Sequence, residues 1–266
     1  KVFIINDKYV LKICTYTKRD KEFNNEINFL ERNNTFSPSI YYYDLSRRKY
    51  NFSFSIEEKV KGGNLLVCWQ NLNTNNKVYV LDKILEYIFT INKEKCSKNI
   101  LNNLLSEFNN YIKIINDRNI LTSDQLDYLQ QLKNNLEVYL TNSKQSKIHG
   151  DLHFNNIIYN DKTKEIKIID YEKFGDSFLD KEFDPINRMC RRPNSFIKNG
   201  IQNPVNVESF KSIMPYIKEN YFKNDIDSFE NDLLIYDCLN SLMWLPECPN
   251  DEIYNNVIFY KTKKLL

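Results

Sequence analysis

Both histidines of the chain fall in one short window, His149-Gly150-Asp151-Leu152-His153-Phe154-Asn155-Asn156. Downstream, the apolar run Ile166-Lys167-Ile168-Ile169 ends on Asp170-Tyr171-Glu172. Residues 156–159 and 166–169 alternate and branch as strands do, and Asn160-Asp161-Lys162-Thr163-Lys164 between them suits a short hairpin. Such a hairpin returns Asp170 to the loop that carries Asp151 and Asn156, so two carboxylates and an amide converge. Mg²⁺ takes oxygen ligands, typically one or two protein side chains with phosphate and water completing the octahedron. Asn156 and Asp170 form such a pair, which leaves Asp151 to accept or orient a hydroxyl proton.

The rest of the chain divides around Gly62-Gly63, its only paired glycines. Before them, residues 2–5 and 9–13 are β-rich runs joined by Asn6-Asp7, residue types suited to a tight hairpin turn. Residues 19–33 place Phe23, Ile27 and Leu30 at helical spacing, and residues 41–43 and 52–60 read as two more strands. After them the spacing becomes helical: Leu81, Ile84, Leu85 and Ile88; then Ile100, Leu101, Leu104, Leu105, Phe108 and Ile112; then Leu126, Leu129, Leu132 and Leu136. Asp184-Pro185 suits a helix start with Asp as cap, and helices are expected over about 207–221, kinked or split by Pro215, and 226–244. The pattern predicts a two-lobed α+β protein, with residues 1–61 a small β-rich lobe and 62–266 a large, mainly helical one.

His149-x-Asp151-x-x-x-x-Asn156 followed by Asp170 resembles the catalytic loop and metal-binding Asp of protein-kinase-like enzymes. The wording "HGDLHFNNIIYN" and "IIDYEKFGD" is similar to that of the aminoglycoside phosphotransferases and the related choline and ethanolamine kinases. The resemblance implies a protein-kinase-like fold and transfer of the γ-phosphoryl group of ATP or GTP, with Mg²⁺, to a hydroxyl of a small molecule. Lys12 in "YVLKI" matches the strand lysine that holds nucleotide phosphates, and Glu26 in "NEINFL" its helix partner, with Glu22 one turn earlier as the alternative. "SIEEKVKGGNL" resembles the hinge, which puts adenine-contacting backbone groups near Glu58 and Val60. Asp180 and Asp184 both resemble the carboxylate that braces the catalytic loop, with Asp184 preferred for its capping position. Asp-Tyr-Glu stands where protein kinases have Asp-Phe-Gly, so their loop regulation is not expected. No glycine precedes Gly62, and Lys1 opens on an apolar run without a Met; a phosphate-covering loop is therefore expected upstream of Lys1.

The 37 basic and 35 acidic residues leave a net charge of +2, too balanced for a dedicated nucleic-acid binder. Six cysteines without a C-x-x-C pair argue against a zinc ribbon or disulfide framework and for a reducing compartment. No apolar stretch approaches the ~20 residues of a membrane span, and a cytoplasmic location is expected. Asp225, Asp227, Glu230, Asp232, Asp237, Glu247, Asp251 and Glu252 occur with no intervening Lys or Arg, beside Tyr236 and Trp244. As a pocket they would suit a cationic acceptor such as an aminoglycoside or a choline-like amine; as a helix face they would simply be solvated. A two-metal phosphoesterase reading of "GDLH" fails because no further histidine exists to ligate metal. The remaining rival is a kinase-like binding or structural protein without catalysis. Neither histidine is assigned a chemical step, and the oligomeric state leaves no readable trace.

Overall fold

The computed structural model describes residues 1–32, 34–93, 96, 100–141, 143–197 and 204–266. Strands β1 (Val2–Ile5), β2 (Tyr9–Cys14), β3 (Ile40–Asp44) and β4 (Ser53–Glu58) form an antiparallel sheet in the order β1-β2-β4-β3. The first turn closes as the sequence predicts: Asn6 and Asp7 adopt φ of 50° and 55°, and the Lys8 N–H donates to the Ile5 carbonyl at 3.1 Å. Helix α1 (Asp20–Leu30) lays Phe23 and Ile27 on this sheet beside Cys14. It is shorter than the expected 19–33; Asn33 lies outside the described residues.

The chain leaves the first sheet at Glu58 and joins a second through β5 (Gly63–Asn64), which pairs with β7 (Ile157–Asn160) and through it with β8 (Glu165–Ile168). Gly62 makes this crossing at φ 140°, where a Cβ would lie 2.5 Å from the Tyr159 carbonyl oxygen. Only glycine fits there. The β7–β8 hairpin pairs Ile157 with Ile168 and Asn160 with Glu165. A third, two-stranded sheet joins β6 (Gln145–Ile148) to β9 (Gly175–Phe178). These short strands bracket the loops that carry Asp151 and Asp170.

Helices supply the bulk of the larger lobe. After the single turn α2 (Leu65–Cys68), α3 (Thr74–Ile91) buries Leu81, Ile84, Leu85 and Ile88 under the loop that carries Asp151, against Leu152, Phe154, Ile157 and Ile168. Helix α4 (Ile100–Asp117) buries Ile100, Leu104 and Phe108, while Leu101, Leu105 and Ile112 stay half-buried. Helix α5 (Ser123–Leu140) starts on a reciprocal cap between Thr122 and Gln125 and buries Leu129, Leu132 and Leu136. Together with α8 (Ile226–Trp244) and α9 (Glu252–Phe259), these two form a second core.

Two helix expectations change. Residues 207–221 divide into a 3-10 turn, Val207–Phe210, and α7 (Ile213–Tyr221), whose first turn contains Pro215, where a missing N–H costs nothing. Asp184 does open α6 (Asp184–Arg191), but it caps nothing. Its carboxylate takes the Arg188 Nε–H at 2.9 Å instead. Among the described residues, no helix is long and apolar enough to cross a membrane.

Candidate active site

One buried imidazole joins the two loops that carry the candidate residues. The Asp151 N–H donates to His149 Nδ1 at 3.2 Å, so the opposite nitrogen carries the proton and donates to the Ile169 carbonyl at 3.1 Å. Complete burial pushes the His149 ring down to about 4 and keeps it neutral, as this arrangement requires. Asp151 and Asp170 are thus held from the same side chain, one directly and one through its neighbour. The Ile169 N–H adds a bond to the Asn156 carbonyl at 2.9 Å.

Asn156 and Asp170 fit a hard divalent cation. Asn156 is buried and its Nδ2 donates to the Asp151 carbonyl at 3.1 Å, which turns the amide oxygen to the opposite side. Asp170 is a non-glycine residue at φ 71°, and its carboxylate takes part in no hydrogen bond or ion pair among the described residues. A carboxylate left unpaired on an uncommon backbone conformation has the character of a ligand-holding site.

Lys12 Nζ lies 2.5 Å from Glu26 Oε1, so Glu26 is the helix partner, while Glu22 pairs with Arg19. Glu26 is brought there by the α1 face that also buries Ile27 and Leu30. At the hinge, the Glu58 N–H is already bonded to the Ser39 carbonyl at 2.8 Å. The backbone of Val60 is unbonded among the described residues and open to a ligand.

No protein-family model matches the chain, and no curated protein matches it by sequence. Solved structures do match in shape. The gentamicin complex of APH(2")-IIa superposes with a TM-score of 0.66 at 15% identity, covering 97% of this chain and 86% of that one. The GDP complex of wild-type aminoglycoside 2'-phosphotransferase-IIIa gives 0.68 at 17% identity over 97% and 87%. Aminoglycoside phosphotransferase APH(3'')-Id from Streptomyces rimosus, with ADP and streptomycin, gives 0.55 at 13% identity over 91% and 90%. The chain has the aminoglycoside phosphotransferase fold.

Within this phosphotransferase fold, three positions at the candidate site escaped the sequence reading. Glu57 on β4 puts Oε2 3.1 Å from Lys12 Nζ, giving the ammonium a second carboxylate. Burial acts against the charged Lys12, but Glu26 and Glu57 more than offset it and hold it above the ordinary lysine range. Burial raises Glu26, and the excess negative charge of Glu57 adds to the rise against the pull of Lys12. Glu182, fully buried, braces the loop that carries Asp151 by accepting the Gly150 N–H at 3.1 Å; Asp180 and Asp184 do not. Lys173 Nζ reaches the Asp151 carboxylate at 3.1 Å.

The acidic stretch does not form an open acidic pocket of the phosphotransferase fold. Asp237 pairs with Arg191 at 2.8 Å, Glu230 with Lys218 at 2.5 Å and Glu247 with Arg118 at 3.0 Å. Asp232 is buried on Ser143, and Tyr236 is buried as well. The cleft around Asp151, about 230 Å³, is lined by Lys173, Lys181 and Arg188 as well as by Glu107 and Asp184.

Proposed function

We propose that this protein transfers the γ-phosphoryl group of a nucleoside triphosphate, ATP or GTP, to a hydroxyl of a small molecule. The observation that carries the reading is that His149 joins the loops of Asp151 and Asp170, with Asn156 bonded to the Asp151 carbonyl and the Lys12–Glu26 ion pair within electrostatic reach of Asp170. The match in fold to nucleotide-bound and antibiotic-bound phosphotransferases supports it.

In this mechanism Lys12 holds the nucleotide phosphates, and the backbone of Val60 and the Glu58 carbonyl meet the base. Asn156 and Asp170 would hold Mg²⁺, which supplies neutralisation of the phosphate charge when bound. Asp151 accepts a hydrogen bond from the acceptor hydroxyl and orients its oxygen in line with the γ-phosphorus. As the new P–O bond forms and the bond to the nucleoside diphosphate breaks, the hydroxyl proton passes late to Asp151. Positioning and electrostatics do most of the work, because the transition state is loose and asks little of a base. Lys173, beside Asp151, stands where it can meet oxygens of the moving phosphoryl group.

Thermal unfolding with and without Mg²⁺ plus ATP or GTP tests this, run beside Asp170→Asn, which tolerates the backbone conformation at φ 71°. At ligand about 100 times its dissociation constant the intact site gains ~2.7 kcal/mol. The expected result is a metal-dependent shift that Asp170→Asn abolishes. No shift with either nucleotide would favour a kinase-like protein without catalysis.

A further inference from the structure

We propose that the acceptor of this site is a hydroxylated oxyanion, bearing a phosphate or carboxylate, and not a cation. This rests on the phosphotransferase reading and names the class of its acceptor. The cleft that holds Asp151 shares the lining residues Arg188 and Asn240 with a neighbouring chamber of about 420 Å³. Arg188, Arg191 and Arg192 all line that chamber, together with Phe196, Trp244 and Tyr254, and among the described residues Asp237 is the one acid lining it.

The three arginines are not equivalent. Arg188 is taken by Asp184 at 2.9 Å and Arg191 by Asp237 at 2.8 Å. Arg192 has no carboxylate partner among the described residues, and the sequence from Pro193 to Val207 contains no acid. Its guanidinium instead lies 5.7 Å from the Tyr254 ring centroid. A half-buried guanidinium fixed on an aromatic face keeps its donors for a ligand, and its planar fork matches carboxylate or phosphate oxygens. In the Asp151 cleft itself, Lys173, Lys181 and Arg188 balance Asp151, Glu107 and Asp184, so nothing there favours a cation. An acceptor with its hydroxyl at Asp151 and its oxyanion beyond Arg188 meets the uncompensated charge of Arg192. An ammonium in the same place meets that same uncompensated guanidinium, because Arg188 and Arg191 are already paired with Asp184 and Asp237.

Calorimetric titration of the full chain, without nucleotide, decides between these. The probes are glycerol 3-phosphate and glycerate for the two oxyanion classes, and choline and kanamycin for cations. At least one oxyanion is expected to bind, about tenfold more weakly in Arg192→Glu. Arg192→Lys, which keeps the charge but loses the planar fork, is expected to weaken binding less than Arg192→Glu does, and thermal unfolding of both variants serves as the folding control. Tighter binding of either cation than of both oxyanions would overturn the inference. So would binding of neither oxyanion, or oxyanion binding indifferent to Arg192→Glu, which would place the anion elsewhere. A separate Mg²⁺–ATP titration of the same sample reports on the phosphotransferase reading, so failure of one is distinguishable from failure of the other.

Discussion

Glu57 shares the Lys12 ammonium with Glu26: its Oε2 lies 3.1 Å from Nζ, and its Oε1 accepts the Ser55 hydroxyl at 2.6 Å. Lys12 and Ser55 are paired across β2 and β4, and Glu57 follows two residues on, so all three side chains share one face of the sheet. Two buried carboxylates around one ammonium leave a surplus negative charge where, under the proposed reading, nucleotide phosphates would approach. Glu57→Gln is therefore expected to tighten Mg²⁺–nucleotide binding by roughly threefold to tenfold, read by calorimetry. Glu26→Gln should leave affinity less changed and lower kcat, because Lys12 would then be drawn to Glu57 alone.

Glu182 makes a prediction about brace and charge together. Burial pushes its carboxyl up to about 8, with bonds from the Gly150 and His149 backbone acting against that rise. Because the folded value exceeds the unfolded one, folding takes up a proton, and stability falls as pH rises from about 4.5 to about 8. Glu182→Gln keeps an oxygen for Gly150 and is expected to flatten this fall in urea titrations. Glu182→Ala strands a buried N–H and should cost about 1–3 kcal/mol at every pH.

A second acid gives an independent pH test. Asp180, half-buried and hydrogen-bonded to Asp232 with Asp225 nearby, is pushed up to about 8 by the loss of solvent and by these neighbouring carboxylates. The sign is the same: its contribution is present below the unfolded carboxylate range and lost by about pH 8. Asp180→Asn should raise Tm at about pH 8.5 and leave it nearly unchanged at about pH 4. Equal shifts at both pH values would exclude titration of this pair as the cause.

Lys173 is exposed, so its removal should change stability by less than about 0.5 kcal/mol. Its ammonium nevertheless sits on the Asp151 carboxylate. Lys173→Met is expected to lower kcat about tenfold with nucleotide affinity unchanged, as single-turnover kinetics would show.

Gly150 has φ 80°, and a Cβ there would lie 2.6 Å from the Lys173 carbonyl oxygen. Gly150→Ala should cost about 1–3 kcal/mol and push the Lys173 segment away from Asp151. Chemical denaturation and turnover should fall together; loss of neither would mean the loop yields freely.

Local chemistry was legible in the sequence wherever it depended on neighbours along the chain. The Asn6-Asp7 turn, the α3 stripe, the β7–β8 hairpin and the grouping of Asp151, Asn156 and Asp170 all follow from spacing. Lys12 and Glu26 were found by resemblance, and the structure brings them together. Glu57 was missed because a lone Glu in a strand gives no sign of which lysine it faces two strand positions away. On the sequence, helix-cap grounds favour Asp184 over Asp180 as the bracing carboxylate, and nothing singles out Glu182. The 3-10 segment Leu179–Phe183, which precedes α6, instead aims Glu182 at the Gly150 backbone. The acids between Asp225 and Glu252 looked unpaired because their cations, Arg118, Arg191 and Lys218, come from other elements.

Helix α1 touches both halves of the site. Glu26 holds Lys12, while Phe29 stacks on Tyr171 with ring centroids 3.8 Å apart and Asn25 donates to the Glu172 carbonyl at 3.4 Å. Arg19, just before the helix, forms an ion pair with Glu172. Under the proposed reading, a triphosphate at Lys12 would therefore be linked through α1 to the segment that begins at Asp170. If donor and divalent ion bind as proposed, they would belong to one thermodynamic cycle, in which each changes the affinity for the other by the same factor.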